Sequence, residues 1–150
     1  MTMSNSFILL VIIFLSLYFG YPKYEEYQFT EAVREELKTS QIEIPKFDGF
    51  PAEADIENDY PRQLMTIRLT DMRYEDIPPA LRSEIRKEME HTVCRSMEKN
   101  IVFLSEAKHE AFTKIFHEDQ NSIKIVLRDK SNGYIADHTQ RLSECSVFSG

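Results

Sequence analysis

The sequence predicts an α+β protein: an N-terminal transmembrane helix, then a small domain whose helices pack on one face of a three-stranded antiparallel or mixed sheet. Three observations predict it. The first 22 residues carry no charged side chain, and Phe7 to Phe19 reads FILLVIIFLSLYF. Two later stretches alternate apolar and polar residues with the period of a strand. Between them, an apolar side chain recurs at every fourth position from Leu81 to Met97.

At about 1.5 Å per helical residue, Met1 to Tyr21 reaches about 31 Å, against a hydrocarbon core near 30 Å. Residues 1–22 are therefore expected to be a membrane anchor. A cleaved secretory signal and a buried core helix are the alternatives. Met1 to Ser6 lack the basic start of a signal, and Tyr18-Phe19-Gly20 lacks the small residues that cleavage needs. Lys23, Arg34 and Lys38 follow the apolar run, which favours a cytoplasmic C-terminal part under the positive-inside rule. The cysteines point the other way. Cys94 and Cys145 are the only two, an even count that suits one disulfide in an oxidising compartment, and two separate buried thiols are the alternative. On balance the expectation is a single-pass protein of the bacterial inner membrane with its C-terminal domain in the periplasm.

Residues 23–60 hold 4 basic and 11 acidic side chains, whereas 61–150 hold 14 of each, so the net charge of −7 lies in the membrane-proximal stretch. This division predicts an amphipathic helix followed by an acidic linker over 23–60, then an exported domain over 61–150. Phe29, Ala32, Val33 and Leu37 share one helical face. From Ser40 to Pro61 the helical period disappears and Pro45, Gly49, Pro51 and Pro61 punctuate the chain, as in an extended linker.

Within 61–150, Met65, Ile67 and Leu69 alternate with polar residues and predict a strand. Asp76 is placed to cap a helix opening at Pro78-Pro79, and Leu81, Ile85, Met89, Val93 and Met97 form its core stripe beside Cys94. Ser105 caps a second helix bearing Ala107, Ala111, Ile115 and Phe116. Ile123, Ile125 and Leu127 mark the next strand. Asn132-Gly133 then supplies a turn into Tyr134 to Leu142, so these two strands form a hairpin. Cys145 follows directly, within reach of the helix at Cys94.

Residues 61–145, with helix-borne Cys94, the turn Asp129 to Gly133 and terminal Cys145, resemble small exported bacterial domains of unknown function. The apolar run followed by Tyr21-Pro22-Lys-Tyr24-Glu-Glu-Tyr27 resembles the N-terminal helix of type IV pilins and pseudopilins. The chain departs from that family in having no basic leader, no processing Gly-Phe pair, and Asn5 or Leu10 where an acidic residue would stand. An interfacial aromatic belt of Tyr18, Tyr21, Tyr24 and Tyr27 is the simpler account of those tyrosines.

Chemistry-bearing motifs are sparse. Gly20, Gly49, Gly133 and Gly150 are the only glycines, which excludes G-x-G-x-x-G and phosphate loops. His109-Glu110 lacks the second histidine of a zinc-protease helix, and His91 with Cys94 lacks a second ligand pair. Balanced charge beside an acidic stretch does not suit nucleic acid. The expectation is therefore no enzyme activity, no catalytic residue, no metal and no cofactor. The expected partners are the membrane and another envelope protein, contacted through Tyr24, Tyr27, Phe29, Val33 and Leu37. A pilus or secretion-system component, or an immunity-type inhibitor or small enzyme with an unrecognised site, are the alternatives.

Overall fold

The computed structural model describes residues 23–40 and 51–149. A helix, α1, covers 23–39. Two strands follow, β1 (Ala52–Asp59) and β2 (Arg62–Leu69), joined by Tyr60 and Pro61 through a cis peptide bond. The helical layer comprises α2 (Pro79–Ile101) and α3 (Glu106–Glu118), and the chain closes with β3 (Ser122–Arg128), β4 (Tyr134–Arg141) and two short 3-10 turns, Leu142–Glu144 and Ser146–Phe148.

The sheet has four strands in the order β1-β2-β3-β4, and this corrects the three-stranded expectation. Its outer pairs are antiparallel hairpins, and β2 meets β3 in parallel, with Met65 opposite Ile125 and Ile67 opposite Leu127. The additional strand is β1, which lies in the stretch expected to be a linker. Its sequence AEADIEND does alternate, and Ala52, Ala54 and Ile56 are half-buried while Glu53, Asp55, Glu57 and Asp59 face water. Two of the inward residues are alanines and the outward ones are all acidic, so the strand reads as solvated coil. Pro51 and Pro61 bracket β1 instead of interrupting it.

Among the described residues no helix is long and apolar enough to cross a membrane. The expected anchor over 1–22 lies outside the described residues, as do residues 41–50 and Gly150.

α2 opens on Pro78 with Pro79 in its first turn, where a missing amide costs nothing. Asp76 does not cap it: its Oδ2 accepts from the Arg73 amide instead, within a separate 3-10 turn. Of the α2 apolar residues, Met89 and Val93 are buried, Ile85, Met97 and Ile101 are half-buried, and Leu81 is exposed. One apolar residue per turn gives α2 only a narrow seam against β4. Ser105 caps α3 as expected, its Oγ accepting from the Lys108 amide at 3.2 Å. Ala111, Ile115 and Phe116 then sit in the core with Ile125, Leu127, Ile135 and Leu142.

The β3–β4 connection is built around Asp129, whose Oδ1 accepts from the Ser131 and Gly133 amides while Oδ2 accepts from the Tyr74 amide. These backbone bonds, Gly133 foremost, hold its carboxyl below the usual range. A Cβ on Gly133 would come within 2.9 Å of the Asp129 carboxylate, so the glycine is required by close approach. Asn132 takes the left-handed conformation, φ 67°.

Cys94 and Cys145 are bonded, with their Cα atoms 5.2 Å apart and a sequence separation of 51. Closing a loop of that length removes about 4 kcal/mol of unfolded-chain freedom in the entropy model. Cys145→Ser is expected to lower stability by about 2–4 kcal/mol. Urea titration of oxidised wild type against the variant measures it.

Candidate functional site

The N-terminal helix α1 is joined to the domain by an apolar pin and a polar clasp. Val33 is 3% exposed and Leu37 packs beside it against the common core. This overturns the expectation that both belong to a free contact edge. Of the apolar face of α1, Val33 and Leu37 pack on the protein's own interior, whereas Ala32 and the aromatics of the first turns are open: Tyr24 is 57%, Tyr27 58% and Phe29 42% exposed.

The clasp centres on Arg34. Its Nε donates to Asp119 Oδ2 at 2.7 Å, just beyond α3, its Nη2 donates to Glu118 Oε2 at 2.7 Å, and its Nη1 pairs with Glu31. The Tyr60 hydroxyl donates to the same Asp119 oxygen. Asn58 donates from Nδ2 to the Leu37 carbonyl at 3.1 Å, which ties the end of α1 to β1, and Lys108 pairs with Glu36 at 3.3 Å. Burial opposes ionisation of Asp119, but the hydrogen bonds from Tyr60 and Arg34 and the charge of Arg34 outweigh it, so its carboxyl lies below the usual range. Burial of the Tyr60 phenol, with its bond to Asp119, pushes it up to about 12. Burial also works against the Arg34 guanidinium, and Asp119, Glu118 and Glu31 more than compensate, raising it further.

No spacing rule links residue 34 to 119 or 60, so the clasp had no sequence signature. Its one local hint is Asp119 directly after the last turn of α3. A phenol held protonated and an arginine held ionised make a poor acid–base pair near neutral pH, and this cluster serves as a fastening.

At the opposite end of the helical layer, the α2–α3 connection leaves Val102 73% and Phe103 84% exposed. The turn is held by backbone bonds from Phe103 to Asn100 at 3.2 Å and from Leu104 to Ile101 at 3.0 Å. Two adjacent large apolar side chains are thus displayed on a backbone-fixed tip. The helical period of α2 ends there and no cap motif marks it, so sequence reasoning passed over the pair. His109, considered for chemistry, lies elsewhere: on α3 it and His117 bond through Nε2 to the carbonyls of Val147 at 2.7 Å and Phe148 at 2.9 Å, fixing the C-terminal tail.

No protein-family model matches this chain, and no curated protein or solved structure matches it either.

Val33→Ala is expected to cost about 2 kcal/mol, since two buried methyl groups are lost and the gap refills only in part. Thermal unfolding at fixed pH reads this as a fall of several degrees.

Asp119→Asn is expected to cost about 1–3 kcal/mol at neutral pH. The sign follows from the two shifts. The depressed Asp119 contributes fully above about pH 4 and loses its contribution as pH falls through its lowered value, whereas the raised Tyr60 contributes fully below about pH 10 and loses it as pH rises toward 12. Stability measured against pH should therefore flatten in acid for Asp119→Asn, and Tyr60→Phe should flatten the alkaline limb.

Proposed function

We propose that this protein is a non-enzymatic binding or accessory protein, attached to a membrane by its uncharged N-terminal sequence, whose disulfide-closed domain contacts another protein of the cell envelope. The observation that carries this reading is the apolar tip Val102-Phe103, displayed on the surface of a domain whose other large apolar residues are mostly packed inside. A well-exposed aromatic on a rigid turn supplies contact area at little conformational cost, and such anchors dominate protein interfaces. The Cys94–Cys145 bond supports an oxidising compartment, and hence a periplasmic domain.

A second reading, a pilus or secretion-system component packing through its N-terminal segment, is favoured by one observation. α1 follows directly in sequence from the uncharged stretch and is locked to the domain by Val33 and Arg34, so a force applied to α1 would pass to the domain.

The full chain extracted from membranes in mild detergent should co-purify with a partner in stoichiometric amount. Replacing Val102 and Phe103 together by Ser should remove that partner at least tenfold, about 1.4 kcal/mol or more of binding, with the melting temperature unchanged because neither side chain is buried. Full retention of the partner by this variant rules the tip out as the binding surface.

A further inference from the structure

We propose that the open first turns of α1 rest in the headgroup layer of a zwitterionic bilayer, with Tyr24, Tyr27 and Phe29 as the lipid contacts, so that the domain is held upright close to the membrane surface. This rests on the reading of a membrane-attached protein and adds the surface by which the domain meets the lipid.

Three observations select lipid over a protein partner. First, the 22 residues that precede α1 carry no charged side chain, and they end where the helix is described, at Lys23. Membrane attachment through that stretch places the first turns of α1 at the boundary of the bilayer, since each helical residue advances only about 1.5 Å. Second, the exposed large apolar residues there are all aromatic and two of the three carry a phenol, with the Tyr24 hydroxyl accepting from Gln28 Nε2 at 2.7 Å. Amphipathic rings at this depth satisfy both the apolar and the hydrated side of the interface. Third, the rest of the helix is not free to turn. Val33 lies in the core, Leu37 packs against it and Arg34 is held by Asp119 and Glu118, so whichever way Tyr27 points is fixed relative to the whole domain.

Charge sets the lipid type. Glu25 and Glu26 lie beside the aromatics, exposed, with Lys23 the one basic residue among the first turns. An anionic surface would repel them, whereas phosphatidylcholine carries no net charge to do so.

The chain contains no tryptophan, so a single substitution creates a unique fluorescent reporter. The full chain carrying Tyr27→Trp is reconstituted with phosphatidylcholine vesicles brominated either near the headgroup or near the chain ends, and flotation establishes vesicle association. Phe103→Trp is the comparison at the far tip, and Tyr24→Trp is a second reporter should Tyr27→Trp misfold. The expected result is a blue-shifted Tyr27→Trp emission, quenched about twofold or more by the shallow bromines and less by the deep ones, as an interfacial ring requires, with Phe103→Trp unquenched. If the chain floats with vesicles but both α1 reporters stay unquenched, the headgroup contact is wrong while membrane attachment stands. Quenching at position 103 alone places the wrong end at the bilayer and overturns the proposal. If the chain does not float, the attachment and the contact fail together.

Discussion

The bond between Cys94 and Cys145 joins the long helix α2 to the C-terminal tail and ties both into the core. α2 offers one apolar residue per turn to the domain, and the segment after β4 has no regular strand or α-helix of its own. The bond sits inside the core, with Cys145 among the most deeply buried side chains. Around it the tail is finished by Phe148, edge-on to Phe116 with ring centres 4.8 Å apart, and by the two histidines of α3 that hold its carbonyls. α2, α3 and the C-terminus therefore form one unit, and it is this unit that gives the sheet a continuous surface to pack against. A small domain with modest apolar area gains from such a link out of proportion to its size.

The excess acidity of residues 23–60 has a structural use that charge counting alone conceals. Much of it belongs to β1, where four carboxylates face water on an edge strand and the neighbouring β2 supplies Arg62 and Arg68 in register, Arg68 pairing with Glu53. Charge on an edge discourages further strands from adding to it. On α1, Glu31 and Glu36 pair with Arg34 and Lys108. Over Ala52–Asp59, what was expected to be an acidic linker is the edge strand of the sheet.

The helices and the C-terminal hairpin were legible because their signals are local: a four-residue recurrence in α2, a Ser cap at 105, and Asn132-Gly133 between two alternating runs. The disulfide was legible because two cysteines allow a single pairing. β1 escaped because Ala52 and Ala54 carry little hydrophobic contrast against Glu and Asp, and because flanking prolines were read as breaks. The role of Val33 and Leu37 was misjudged for a related reason. An apolar helix face in sequence says that something covers it, and only the three-dimensional arrangement says that the cover is the protein's own core. The clasp of Arg34, Tyr60 and Asp119 joins three elements distant in sequence, and no pattern within any one of them announces it.

The parallel seam between β2 and β3 sets the order in which this chain can assemble. The β1–β2 and β3–β4 hairpins each close over a few residues, whereas pairing Arg62 with Ser122 must wait until the whole helical layer lies between them. Long closures are entropically costly before any contact rewards them, and domains rich in such contacts fold slowly. Until the seam zips, Met65, Ile67 and Leu69 stand on an unpaired strand edge. That exposure gives the charges on the neighbouring strand a second purpose, as protection for a chain still on its way to the folded state.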